Sequence, residues 1–310
     1  MHHHHILSYE PGKRGKILTQ VTWVGLLANV FITSGKLLAG WLGHSSAMVS
    51  SGIHSLSDLA SDTVVLILLS LSAKGENRRY AFGRGKFEAF ASMVIGVVLF
   101  YVAVDLLVDG LEAIEEILSG NLPEKPSLIA LWAAGASICI QAAVYLYTSM
   151  MGHKYDSPTL IAKSWHNLVD ALSTFGALTA VGLAIFLGDK WVILDPLAGC
   201  IISVAVLVLS VKVLIPALGD LLDRALPAEE EQRILSTLRS AVQTGNGSVR
   251  EVTRLKTRRS GPTVFVEACL VVAPGLSAEE ACACCRKGCQ ALKTLLGDNA
   301  RISLTTDIAG

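Results

Sequence analysis

Charged side chains are scarce in this chain. They make up 17% of its 310 residues, whereas hydrophobic side chains make up 52%. Soluble globular proteins carry about 25% charged residues, so this composition excludes an ordinary soluble domain and favours a protein embedded in a lipid bilayer. The formal net charge is zero, which gives no electrostatic reason to expect nucleic acid as a partner, and we expect none.

Long apolar segments dominate the first two thirds of the sequence. A helix needs about 20 residues to cross a hydrocarbon core about 30 Å thick. Six segments are long enough, at 18–41, 46–73, 86–109, 127–151, 157–186 and 190–214. We expect Lys36, in the first segment, to extend its ammonium toward the end of its helix.

Basic residues are distributed unevenly between the connections. They cluster before the first segment and between the second and third, whereas an acidic run (Asp109–Glu116) follows the third. The positive-inside rule then places both termini in the cytoplasm. We therefore expect an integral protein of the inner or plasma membrane.

The composition changes near residue 227. We predict a cytoplasmic tail, a six-helix transmembrane domain, a linker and a cytoplasmic α+β domain, at 1–16, 17–215, 216–226 and 227–310. Residues His2–His5 are interpreted as a purification tag or a solvated tail. The last region predicts the order helix–strand–strand–helix–strand, with a turn at Ser260–Pro262 and a capping box that pairs Ser277 with Glu280.

The second and fifth segments share one polar motif. Each contains His-x-x-x-Asp, as His54 and Asp58 in one and His166 and Asp170 in the other. At about 1.5 Å per residue, antiparallel helices bring Asp58 level with His166 and His54 level with Asp170. Two imidazoles and two carboxylates suit tetrahedral Zn²⁺. The alternative is that these groups form interhelical hydrogen bonds that only hold the helices together.

Two neighbours of the motif have open roles. Asp62 either supports the ligands, exchanges protons or makes a structural contact, and Asn167 either orients a ligand or is structural. Because Zn²⁺ needs neutral imidazole and ionised carboxylate, protons compete with the metal. No Gly-x-x-x-x-Gly-Lys-Ser/Thr loop occurs, which favours proton-driven secondary transport over an ATP-driven pump.

Several longer stretches resemble one protein family. They are "GHSSAMVSSGIHSLSDLASD", "YAFGRGKFEAFASM", "SWHNLVDALST", "DPLAG", "LLDRALP" and "RLKTRRSGPTVFVEACL". Together they resemble the cation diffusion facilitator family, in its zinc-transporting branch, over about residues 15–308. The resemblance implies a homodimer of six-helix subunits, each with a ferredoxin-like cytoplasmic domain. It also implies export of Zn²⁺, with Cd²⁺ or Co²⁺ as other candidates, in exchange for protons.

The resemblance assigns roles to further residues. His54, Asp58, His166 and Asp170 match the transport site, while Lys86 and Asp223 match a charge pair that ties two subunits together. The alternative for Lys86 and Asp223 is an ordinary charge beside the membrane.

The cytoplasmic region departs from the family pattern. Residues 227–310 contain no histidine, so the His/Asp zinc cluster of relatives is not expected. Cys269, Cys282, Cys285 and Cys289, with Asp307, could instead form a soft cytoplasmic metal site. The alternative is that the cysteines pack as small apolar residues.

Two other functional classes are alternatives to transport. A membrane scaffold or sensor would use the same metal site structurally and recruit a partner through its cytoplasmic domain. A metalloenzyme needs an open coordination position, and four protein ligands leave none. We therefore expect a transporter and not an enzyme.

Overall fold

The computed structural model describes residues 11–42, 46–74, 76–119, 128–187, 193–243, 249–297 and 299–308. The predicted tail residues His2–His5 lie outside this part of the chain. Six long helices come first: α1 Pro11–Leu42, α2 Ser46–Ser72, α3 Lys86–Leu118, α4 Leu128–Lys154, α5 Pro158–Leu187 and α6 Leu194–Leu221. Five shorter elements follow: α7 Ala228–Gln243, β1 Val249–Ser260, β2 Thr263–Val272, α8 Ala278–Leu296 and β3 Arg301–Ile308.

Four of the described helices are long and apolar enough to cross a membrane. They are Lys13–Leu42, Lys86–Leu118, Trp132–Lys154 and Pro196–Leu221. Helices α2 and α5, which carry the polar motifs, are not among them. Large apolar side chains such as Trp41, Trp132 and Ile201 are exposed, as expected of helices that face lipid.

Two helices extend further than the apolar pattern indicates. Helix α3 continues to Leu118, beyond its predicted end at 109. Helix α6 continues through Pro216 to Leu221, so the first part of the predicted linker 216–226 is helical. Hydropathy detects only the lipid-compatible part of a helix, whereas the backbone hydrogen bonds continue into polar sequence.

The described chain divides into two compact units. One comprises the residues up to Arg14, Ala73–Ala89 and Gly219–Gly310, and the other comprises Gly15–Ser72 and Phe90–Leu218. We call them the sheet unit and the helix unit.

Close helix contacts define the helix unit. Helices α3 and α6 approach so closely that a Cβ on Gly110 would lie 2.7 Å from Cys200 Sγ. Helices α4 and α5 pack extensively on each other. Small residues at such crossings let backbones approach, which is how helices gain packing energy in lipid.

The sheet unit contains a three-stranded sheet in the order β1-β2-β3. Strands β1 and β2 are antiparallel, and β3 runs parallel to β2. The turn at Gly261, whose φ is +57°, joins the first two strands. The helices α7 and α8 cover the sheet around a core that contains Ile234, Leu238 and Leu292.

The order helix–strand–strand–helix–strand in this unit confirms the sequence prediction. The capping box is confirmed too: the Ser277 hydroxyl accepts from the Glu280 N–H at 3.3 Å, and the Glu280 carboxylate accepts from the Ser277 N–H at 3.0 Å.

Candidate metal centre

Three predicted ligands converge between α2 and α5. Asp58, His166 and Asp170 each offer one ligand atom, and these atoms lie within 4.8 Å of one another. His166 Nε2 is 3.5 Å from Asp58 Oδ1 and 3.7 Å from Asp170 Oδ2. In the described part of the chain, no other group of three His, Cys, Asp or Glu residues is this close. We call these three residues the ligand group.

Helix geometry explains how the ligand group forms. His166 and Asp170 are four residues apart on α5, so they share one face of that helix. Asp58 comes from α2 and lies level with His166, as the count of helical rise predicts. Asp58 is 8% exposed and His166 5%. Two acidic groups sharing one buried imidazole are costly unless a cation balances their charge, so the group is suited to hold a divalent ion.

His54 remains a predicted ligand. Its backbone belongs to α2, one turn before Asp58, and its side chain lies outside the described residues.

The Asp62 carboxylate contacts two polar side chains outside the ligand group. The Lys163 ammonium, on α5, forms an ion pair with Asp62 Oδ1. Asn29 Nδ2, on α1, donates to Asp62 Oδ2 at 2.7 Å. Lys163 is not among the predicted site residues. The available signal was a lysine inside an apolar segment, which marks a functional candidate in its own right.

Asn167 and the second imidazole nitrogen of His166 are buried. Within the described residues, Asn167 Nδ2 and His166 Nδ1 have no hydrogen-bond partner. The structure therefore does not show Asn167 orienting His166.

The Lys36 ammonium does not extend toward the end of α1 as expected, but points to a neighbouring helix. It is 7% exposed, and its ammonium donates to the Ser55 hydroxyl at 3.2 Å. The hydroxyl of a neighbouring helix thus supplies a partner that the sequence pattern of α1 alone does not reveal.

Lys86 and Asp223, which both belong to the sheet unit, form an ion pair with each other. Lys86 Nζ is 2.9 Å from Asp223 Oδ1, and Arg258 Nη1 donates to the same oxygen at 3.0 Å. Lys86 also donates to the Leu221 carbonyl at 3.2 Å.

The four predicted cysteine ligands belong to the sheet unit, and Cys285 packs against its core. All are free thiols: Cys269 is buried, Cys282 exposed, and Cys285 and Cys289 half-buried. Burial, with smaller contributions from nearby thiols, raises the pKa of Cys285, and burial also raises that of Cys289. A raised thiol pKa disfavours the thiolate that binds metal.

The predicted partner of these cysteines is exposed. Asp307 lies on β3, and its carboxylate accepts from the Ile308 N–H at 3.0 Å. The described cysteines and Asp307 do not form a group of ligand atoms within 4.8 Å. This arrangement favours the packing interpretation of the cysteines.

Comparison with known proteins identifies the family. The cation efflux transmembrane domain matches residues 22–222, and the cytoplasmic domain of cation efflux proteins matches residues 226–304. The chain belongs to the cation diffusion facilitator family. Members of this family are transporters rather than enzymes.

Individual relatives share about a quarter to a third of their residues with this chain. Metal tolerance protein C1 of Arabidopsis thaliana is 30% identical over 87% of the chain, which spans 58% of that protein. The manganese efflux system protein MneP of Bacillus subtilis is 27% identical, over 80% of the chain and 82% of that protein. A solved structure of CzrB in its Zn form is 34% identical over 28% of this chain and 94% of that one, with a TM-score of 0.26.

Proposed function

We propose that this cation diffusion facilitator exports a divalent metal ion, Zn²⁺, from the cytoplasm in exchange for protons. The observation that carries the proposal is the convergence of Asp58, His166 and Asp170 within 4.8 Å. We propose His54 as the fourth ligand, because it lies one turn from Asp58 on the same helix.

The donor set supports Zn²⁺ as the cargo. Imidazole suits Zn²⁺, whereas sites built of oxygen donors suit Mn²⁺. One histidine with two carboxylates, completed by His54, gives the two nitrogens and two oxygens of a tetrahedral zinc site. Because one relative is a manganese efflux protein, Mn²⁺ is the competing ion in the test below.

The topology is part of the proposal. We propose that α2 and α5 also cross the membrane, giving six spans, with both termini in the cytoplasm. Their polar residues lower their hydropathy, but Asp58 and His166 of the ligand group are buried and Asp170 is half-buried, so these polar groups lie mostly between helices. We further propose a ferredoxin-like cytoplasmic domain and a homodimer, which the match to the cytoplasmic domain of cation efflux proteins supports.

The decisive experiment measures metal flux into proteoliposomes. Asp58→Asn and Asp170→Asn each remove a charged ligand without changing side-chain volume, and we expect each to reduce Zn²⁺ uptake by at least about tenfold. Asp109→Asn is the matched control, since Asp109 is exposed on α3 and lies outside the ligand group; its uptake should equal that of the wild type.

Three outcomes contradict the proposal. Undiminished uptake by Asp58→Asn would mean that the ligand group does not carry the ion. Absence of saturable Zn²⁺ uptake by the wild type is the result expected of a scaffold or sensor. Faster saturable uptake of Mn²⁺ than of Zn²⁺ would assign the site to manganese instead.

A further inference from the structure

A buried ion pair lies beside the ligand group and is not part of it. The Lys163 side chain is 2% exposed and that of Asp62 is 7% exposed. The ammonium contacts one oxygen of Asp62, and Asn29 Nδ2 donates to the other at 2.7 Å. Both oxygens of the Asp62 carboxylate are therefore already engaged, and neither belongs to the ligand group.

This pair is one helical turn from the ligand group on both helices. Asp62 follows Asp58 by four residues on α2, and Lys163 precedes His166 by three on α5. Asp58 contacts His166, and Asp62 contacts Lys163. The step from Asp58 to Asp62 along α2 and the step from His166 to Lys163 along α5 therefore run toward the same end of the two antiparallel helices. One turn is about 5.4 Å, so the two charges of the pair lie close to any ion held by the ligand group.

The packing provides space for the lysine. A Cβ on Gly25 of α1 would lie 3.3 Å from Lys163 Cε and 3.9 Å from Val144 Cγ1 of α4. The aliphatic part of Lys163 thus runs against the α1 backbone. The ammonium is held in a defined position between helices rather than extended to solvent.

A carboxylate this close to a bound divalent ion strengthens its binding in a low-dielectric interior. A transported ion must also be released, so a site must bind weakly enough to let it leave. An ammonium that cancels the charge of the carboxylate removes the extra attraction. A buried ion pair often adds no stability over apolar residues of similar volume, so stability by itself does not account for the presence of this pair.

We propose that Lys163 is a built-in counter-cation that neutralises Asp62 and thereby lowers the affinity of the ligand group for its divalent ion, permitting release. The inference rests on the proposed function, because it assigns the ion to Asp58, His166 and Asp170. Lys163 is a positioning residue that acts through the field at the site and does not bind the ion.

The test compares the direction in which three variants change the Zn²⁺ affinity. Zn²⁺ affinity is measured on the purified full chain by competition with a chromogenic chelator, at one fixed pH and ionic strength. Lys163→Met leaves Asp62 uncompensated and should tighten binding by at least about tenfold, because a unit negative charge about one helical turn from the ligand group attracts a divalent ion. Asp62→Asn leaves the ammonium uncompensated and should weaken binding by a similar factor. The double variant should return close to the wild-type affinity.

Flux measurements separate this role from a merely structural one. In proteoliposomes, Lys163→Met should lower both the half-saturating Zn²⁺ concentration and the maximal rate, because the ion is held more tightly and released more slowly. Loss of folded protein would instead lower the maximal rate without lowering the half-saturating concentration. Lys154→Met is the control, because it removes an exposed lysine at the end of α4, and its affinity should equal that of the wild type.

The measurements distinguish failure of the counter-cation role from failure of the proposed transport site. If Asp58→Asn weakens binding but Lys163→Met leaves it unchanged or weaker, the counter-cation role is overturned and the transport site stands. If Asp58→Asn does not weaken binding, the site itself is wrong. Should Lys163→Met fail to fold, the comparison of Asp62→Asn with the double variant makes the same test: tighter binding by the double variant supports the role, and equal or weaker binding overturns it.

Discussion

Asp223 occupies an unusual backbone conformation just after α6, with φ at +56°. Its carboxylate accepts hydrogen bonds from Lys86 at 2.9 Å and from Arg258 at 3.0 Å. Burial alone would raise the pKa of Asp223, but the two bonds and the positive charges hold that pKa below its ordinary value. The carboxylate is therefore stabilised in its ionised form within the sheet unit.

The lowered pKa predicts how the Asp223 contacts depend on pH. An aspartate whose pKa is lower in the folded state stabilises that state above its unfolded pKa of about 3.9, and loses this contribution as the pH falls through the lowered value. Asparagine tolerates positive φ, so Asp223→Asn removes the charge without straining the backbone. The Arg224 amide, which donates to the Gly219 carbonyl at 2.8 Å, should exchange hydrogen faster in this variant at pH 7.

The difference in Arg224 exchange rate between the wild type and Asp223→Asn should shrink below about pH 3.9, because the carboxylate then becomes protonated. It should also shrink at high salt, because salt screens exposed ion pairs. The side chain of Asp223 is 42% exposed, so we expect an effect under about 1 kcal/mol. A difference in exchange rate that is independent of pH would show that the charge of Asp223 is irrelevant to this turn.

At the scale of elements, one close contact joins the start of α3 to the β1–β2 turn within the sheet unit. A Cβ on Gly85 would lie 2.2 Å from the Ser260 carbonyl oxygen and 2.6 Å from its carbonyl carbon. These are backbone atoms, which cannot move as a flexible side chain can. Glycine is therefore required here by space rather than by backbone dihedral angles.

We expect Gly85→Ala to separate the turn from α3. Overpacking of this kind costs about 1–3 kcal/mol, and it should appear as faster hydrogen exchange across Ser260–Thr263 of the full chain. Gly135→Ala is the control, because a Cβ on Gly135 of α4 meets nothing within 4 Å. Unchanged exchange in the Gly85 variant would mean that the two elements do not need this contact.

The sequence predicts the elements of this chain better than their ends. The six apolar segments and the order of the sheet unit are recovered, because helical and strand patterns are local. The ends of α3 and α6 are not, since polar residues such as Glu112 and Asp220 continue a helix without continuing its hydrophobicity. Contacts such as that of Gly85 with Ser260 join residues 175 positions apart, and local patterns contain no information on them.

For the whole molecule, the proposed exchange makes transport depend on the proton gradient. Zn²⁺ binding requires ionised carboxylates and neutral imidazole, so protons displace the metal on the acidic side. Vesicles with an acidic interior should therefore accumulate radioactive Zn²⁺ faster than vesicles without a gradient. An ionophore that exchanges K⁺ for H⁺ should abolish the difference. Equal uptake under both conditions would exclude proton coupling while leaving metal transport intact.

The sequence alone determined the membrane class, the six long helices, the order of helices and strands after residue 227 and the level at which Asp58 meets His166. Each follows from composition or from a constant rise per residue along a helix. Only the tertiary structure decided that Lys163 contacts Asp62, that Lys36 reaches Ser55 and that Cys285 packs against the core of the sheet unit. Those pairings depend on how each helix is rotated about its axis and which neighbour it faces, and that rotation is set by packing over the whole unit.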